Sequence, residues 1–292
     1  MTGLAESAVI RSWTQADIDY VSESVNREGW GHTRLDVERC WKLEPNGCFI
    51  AEFRNKPIGH VFSICYGKTG WIGLLIVNPE RRGQGVGSVL MQTAINYLQR
   101  AGAETIRLDA AEKAVPLYKR LGFIEEFDSL RLGGWLQQKQ SLQRKRESSF
   151  LMRQDDLFEV AEFDAKHFGA NRLPVLESLY KDYPQQCFVA KEEECIVGYA
   201  MAREIQNGFW IGPLVCLNAE TAQHLLSALT ETVKGEEVDL RVGLLAPNTK
   251  GRVMLERLGF QFTSRSIHMV LGNRKNKSNV THVYGIGGPE KG

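Results

Sequence analysis

The chain has 292 residues, more than one typical domain of about 100–200 residues, so two domains are expected. Its 43% apolar and 24% charged content is that of an ordinary soluble globular protein. A formal net charge of +1 argues against a nucleic-acid binder that relies on long-range attraction, while leaving room for a local basic patch, and no window approaches about 18 uninterrupted apolar residues, so no membrane span is expected.

In chain order, "ADIDYVSESVNRE" (16–28) predicts a helix with Asp17 near its start, and "LDVERCWKLE" (35–44) a second. "GCFIAEFRNKPIGHVFSICYG" (47–67) predicts a strand, a turn at Asn55-Lys56-Pro57 and another strand. "GWIGLLIV" (70–77) is a third apolar strand, "GSVLMQTAINYLQRAG" (87–102) a helix, and "ETIRLDA" (104–110) a fourth strand. "AVPLYKRLGF" (114–123) is a helix stopped by Gly122. Strands alternating with helices, with an early hairpin, indicate an α/β (α+β) fold around a mixed sheet.

The pattern then recurs. "CFIAE" at 48 returns as "CFVAK" at 187, "IGH" at 58 as "VGY" at 197, and "WIGLLIV" at 71 as "WIGPLVC" at 210, each pair 139 positions apart. "RLGF" recurs at 120 and 257, after a small deletion. A fixed offset over this length means two copies of one fold. The expected division is a first domain at 1–136, a polar, basic linker at 137–149 and a second domain at 150–292. In the tail, Val280, Val283, Tyr284 and Ile286 suggest an added edge strand. Met1–Trp13 shows no basic stretch leading into an apolar run. The six cysteines form neither C-x-x-C pairs nor a Cys/His ligand pattern, so reduced thiols, no metal and a cytoplasmic protein are expected.

"ERRGQGVGSVLM" (80–91) sits between an apolar strand and a helix, the usual place for a phosphate. It lacks the Lys-Ser/Thr of a nucleoside-triphosphate loop, and the third glycine of G-x-G-x-x-G falls on Ser88 or Leu90. What stands there is Arg82-Gly83-Gln84-Gly85-Val86-Gly87, an [RQ]-x-x-G-x-G arrangement. Glycines admit an anion close to the backbone, convergent N–H groups receive it, and the next helix points its positive end at it.

This turn, with A-x-x-L-Y-x-x-L-G-F at 114–123, resembles the GNAT superfamily of acyl-CoA-dependent N-acetyltransferases over roughly residues 8–132. The resemblance implies two tandem GNAT-like domains, each with a mixed, mostly antiparallel central sheet flanked by helices. It also implies acetyl-CoA as cosubstrate. Leu75, Ile76 and Val77 would then offer backbone groups to the acetyl and pantetheine arm, with Leu75 N–H near the developing oxyanion. Arg82, Gly83, Gln84, Gly85, Val86, Gly87 and Ser88 would hold the pyrophosphate. Tyr118 aligns with the family tyrosine that protonates, or hydrogen-bonds to, the coenzyme A sulfur; the alternative is a helix tyrosine packed on the sheet. The family glutamate is absent from "WIGLLIV", and Ala111 stands where the family has asparagine. For the base, Asp109 is the first candidate, against a plain capping carboxylate. Glu28, on the acceptor-site loop, competes as base or amine anchor, with Trp30 as a wall or a core residue. His32 and His60 read as structural.

In the second copy "LNAETAQHLLSAL" (217–229) has neither the arginines nor the glycines, Leu255 replaces the tyrosine and Pro213 replaces Leu74. That copy is expected to keep the scaffold, to leave coenzyme A to the first, and to help form the acceptor site. There Arg172, in "HFGANR", either anchors an acidic group of the acceptor or is an exposed connection residue. The expected activity is transfer of an acetyl or acyl group from acetyl-CoA to the primary amine of a small molecule or peptide. A non-catalytic acyl-CoA sensor is the alternative.

Overall fold

The computed structural model describes residues 8–135, 149–233, 238–273 and 279–292. The expected linker falls almost wholly outside them. The described residues form two compact units. Unit 1 comprises Met1–Glu126 with Met269–Arg274 and Lys291; unit 2 comprises Phe127–His268 with Lys275–Glu290 and Gly292.

Unit 1 opens with β1 (Val9–Ser12), α1 (Ile18–Arg27) and α2 (Arg34–Leu43). A carboxylate reaches back over the 3-10 turn Gln15–Asp17 that leads into α1, and another over the first turn of α2. Thr14 N–H donates to Asp17 at 2.7 Å and Thr33 N–H to Asp36 at 2.9 Å, which satisfies amides the helix leaves open. Ile18, Val21 and Val25 then form the buried stripe of α1. Next come β2 (Cys48–Phe53), β3 (Lys56–Tyr66), β4 (Thr69–Val77), α3 (Val86–Arg100), β5 (Thr105–Ala110) and α4 (Val115–Arg120). The hairpin turn sits at Arg54-Asn55, both with positive φ (52° and 59°), because Lys56 and Pro57 already belong to β3. The strand order is β1-β2-β3-β4-β5, antiparallel except for the parallel pair β4 and β5. Late in the chain Asn273 N–H joins this unit by donating to Glu104 O at 2.9 Å.

Unit 2 repeats the plan. It runs β6 (Ile124–Trp135, within the unit from Phe127), β7 (Ser149–Leu151), α5 (Leu157–Phe168), α6 (Leu173–Asp182), β8 (Cys187–Glu192) and β9 (Cys195–Ile205). It continues through β10 (Gly208–Cys216), α7 (Ala219–Thr230), β11 (Asp239–Leu245), α8 (Thr249–Arg257), β12 (Gln261–Gly272, to His268 in this unit) and β13 (Val283–Gly285). Its strands run β6-β11-β10-β9-β8-β7, again with one parallel pair, β10 and β11. The tail strand is not at an edge. β13 pairs with β10 at Leu214 and Val215, and Ile286 N–H donates to Gly243 O on β11, β10's parallel partner. Tyr284 and Ile286 are 1% and 3% exposed, so apolar side chains draw the segment inward.

Two buried polar groups mark the cores. In unit 1 His60 is fully buried on β3, with its ring edge-on to Trp13 (5.8 Å) and Tyr20 (6.0 Å). Burial pushes its pKa down to about 3. In unit 2 the Arg172 guanidinium is 1% exposed and clasps Asp164 through Nε at 2.7 Å and Nη2 at 2.9 Å. Its Nη1 donates to Gly292 O, its plane lies 4.0 Å over Phe168, and Tyr199 OH donates to Asp164 at 2.6 Å.

The folded state holds His60 neutral, whereas the unfolded chain takes up a proton below the ordinary histidine pKa of about 6.5. Stability conferred by this site is therefore complete above that pH and declines as pH falls toward about 3. Thermal melts at about pH 7.5 and about pH 5 should show a smaller acid loss of Tm for His60→Phe than for the parent chain. Arg172→Ala leaves the Asp164 carboxylate buried without its partner and should cost about 3–5 kcal/mol, read as a lower urea midpoint.

Candidate functional site

The site in unit 1 begins with a pairing that stops. β4 and β5 pair only from Thr69, Gly70 and Trp71 to Thr105, Ile106 and Arg107. Beyond that point the ladder of described residues leaves Ile72–Val77 without β5. Against β3 the register of β4 shifts between the partners of His60 and Phe62, and Leu74 there has φ 49°. The shift is a bulge, and bulges turn a strand and break its alternation locally. After it, Asn78 N–H donates to Ile58 O, so residues 76 and 78 direct their backbone groups to β3. Val77 directs its own the other way, into the opening, and Leu75 lies within the bulge. Val77 O is already used there, accepting from Arg82 Nε at 2.9 Å.

The glycine turn closes one end of this opening. Gly83 and Gly85 have φ 75° and 85°, a region where a side chain is strained, and Gly85 is the residue before α3. The side-chain cap that starts α2 is missing here. Among the described residues the N–H groups of Gly83 to Gly87 donate to no backbone carbonyl; the first amides of α3 that do are Ser88 and Val89, both to Gly85 O. Orphan amides at a helix N-terminus with its positive dipole end suit an anion, and Gly87 sits against Val77 and Leu117. Gln84 is tied back by its Nε2 to Glu80 O at 3.0 Å, and the Arg81 guanidinium lies 5.3 Å over Phe53. These donors fit the diphosphate of an acyl-CoA, and the open strand edge fits an amide-bearing arm.

Four other sequence-selected residues lie in unit 1. Tyr118, on α4, is 7% exposed and packs edge-on to Phe123 at 6.0 Å. Burial raises its pKa, so the phenol keeps its proton through neutral pH. Asp109 is half-buried near the free end of β5, past the last residue paired with β4. Glu28 follows α1 and bridges two cations, Arg82 at Nη2 and Lys113 at Nζ (3.2 Å). Its burial favours the neutral form, but the hydrogen bonds from Arg82 and Lys113 outweigh it and hold the carboxyl below its usual range. Trp30, 40% exposed, stands on the same loop and is no core residue. Lys113 is the residue that sequence reading missed; nothing marks a lysine before α4 until Glu28 is seen to reach it. Among the described residues no group of three or more metal-ligating side chains is found.

Unit 2 differs at each of these points. β10 ends at Cys216 and α7 begins at Ala219, where unit 1 spends residues 78–85 on the glycine turn. Asn218 caps α7 by accepting from Thr221 N–H at 2.9 Å, so that helix end is satisfied by its own chain. Arg172 is not the exposed connection residue that one reading expected: its side chain is enclosed and pairs with Asp164. No described helix is long and apolar enough to cross a membrane.

Known proteins show the same organisation. A model of the GNAT acetyltransferase family matches residues 12–123, and a model of an acetyltransferase (GNAT) domain matches residues 160–285. The holothin acyltransferase of Pseudoalteromonas sp. is 23% identical, over 82% of this chain and 78% of its own. The structure of a proposed acetyltransferase from Pyrococcus horikoshii superposes with a TM-score of 0.80 at 23% identity, covering 98% of this chain and 96% of its own. A tandem GNAT protein from the clavulanic acid biosynthesis pathway superposes at 0.59 and 11% identity, over 91% and 98% of the two chains. With one GNAT model on each copy of its repeat, spanning most of its length between them, the chain belongs to the GNAT acetyltransferase family.

Proposed function

We propose that unit 1 is an acetyl-CoA-dependent N-acetyltransferase acting on a primary amine. The observation that carries this reading is the coincidence, in one unit, of an open β4 edge, an uncapped helix N-terminus behind Gly83 and Gly85, and a buried phenol on α4. Acetyl-CoA supplies an activated thioester carbonyl when bound. The backbone N–H groups of Gly83 to Gly87 receive its diphosphate, with Ser88 beside them and the positive end of α3 behind them. Arg82 adds charge at the turn while its Nε holds Val77 O. Leu75 N–H, turned out of the β3 ladder by the bulge, donates to the carbonyl oxygen and stabilises charge that develops there.

The Tyr118 phenol, kept protonated by burial, holds the proton that the departing thiolate needs. Asp109, half-buried near the free end of β5, is the preferred acceptor for the amine proton. Glu28 and Trp30 then line the acceptor's approach. The family membership supports acetyl transfer, and a small-molecule or peptide amine fits it equally. Unit 2 keeps the scaffold without the phosphate turn.

Release of free thiol from acetyl-CoA on adding a panel of amines tests the activity. Acetyl-CoA binding without thiol release on any amine would make the chain a sensor. Tyr118→Phe should lower kcat by roughly 100-fold, the scale of a lost general acid, with acetyl-CoA affinity within about twofold of the parent. Gly85→Val places a β-branched side chain at positive φ before α3 and should raise the KM for acetyl-CoA by about tenfold or more, leaving the acceptor KM nearly unchanged.

A further inference from the structure

We infer that unit 2 retains its strand opening as a binding site for an extended peptide, and that Val283–Gly287 is its resident ligand, lying where unit 1 would take the cosubstrate's arm. β10 and β11 pair from Gly208–Ile211 to Asp239–Val242 and then part, as β4 and β5 do. In unit 1 the parting leaves the β4 edge open. In unit 2 the chain's own backbone enters it. β13 pairs antiparallel with Leu214 and Val215, which the repeat aligns with Leu75 and Ile76.

The other wall is served as well. Ile286 N–H donates to Gly243 O at 2.9 Å, and Ile286 O accepts from Trp210 Nε1 at 2.9 Å. Asn248 Nδ2 donates to Val283 O at 2.9 Å. The segment thus bonds to β10, to the strand beyond the opening and to α8's capping residue. Its side chains fill the core: Val283, Tyr284 and Ile286 are 5%, 1% and 3% exposed. Gly285 fits because an added Cβ would press on Ile211 O at 3.1 Å and Leu214 Cβ at 3.2 Å. An extended arm bonded by its amides to an unpaired strand edge is a mode of peptide recognition by strand addition. Tyr and Ile at alternate positions, with a small residue between, define the ligand class.

Occupancy gives unit 2 a reason for binding no acyl-CoA that is independent of its missing glycines, and leaves one such site per chain. That count rests on the reading of unit 1 proposed above; the peptide site does not. Hydrogen exchange on the full chain separates a bound segment from an ordinary strand. The amides of Gly285 and Ile286 should exchange at least about tenfold faster than those of the β8–β9 ladder, and Ile286→Ala should speed them about tenfold more without changing β8–β9. Exchange of β13 only at the rate of the β8–β9 ladder would overturn the inference. A labelled synthetic peptide of residues 279–292 should bind the full-length Ile286→Ala chain saturably, and a Tyr284→Ala peptide at least about tenfold more weakly. Absence of saturable binding would also overturn it. Calorimetric titration with acetyl-CoA should give one site. Two sites would sink the inference, while none, with the peptide results intact, would sink only the reading of unit 1.

Discussion

The parallel pairing of β4 with β5 ends at Trp71, and the chemistry proposed for unit 1 depends on that ending. A backbone edge cannot be left both buried and unpaired, so two strands that part inside a domain demand something between them. The bulge at Leu74 and Leu75 orients the exposed edge: past it, Val77 turns away from β3. The glycine turn follows at once and brings the positive end of α3 to the same opening. Strand edge, helix dipole and turn thus converge because they are consecutive in the chain.

Unit 2 meets the same demand with its own backbone. β13 supplies the missing hydrogen bonds, Asn218 caps the helix, and the connection from β10 to α7 shrinks to residues 217–218. Each change removes a need that an external ligand would otherwise satisfy. The polar cluster of Arg172, Asp164 and Tyr199 belongs to the same consolidation, since Arg172 also holds Gly292 O. One fold therefore stands twice in the chain, once with its opening exposed and once with it filled.

Much of this was legible in the residues. The 139-residue offset announced two copies, and apolar periodicity placed nearly every helix and strand of unit 1 within a few positions. The glycine turn was legible because left-handed backbone before a helix requires glycine, which leaves a mark in any sequence. The hairpin turn was displaced toward Arg54-Asn55 because Pro57 reads as a turn former yet starts a strand. The burial of Arg172 was hidden for a related reason. An arginine between helices looks exposed until its partner is known, and Asp164 lies on a neighbouring helix face that periodicity alone does not orient.

By itself the sequence determined the repeat, the order of elements, and which copy carries the glycine turn before its helix, because these depend on local conformational preference and on spacing along the chain. The tertiary structure alone decided that Glu28 bridges Arg82 and Lys113, that His60 is buried neutral, and that the tail enters the core of unit 2 rather than its edge. Those outcomes depend on which distant groups meet and on how much water remains around them. Neither partner choice nor dielectric is written in spacing.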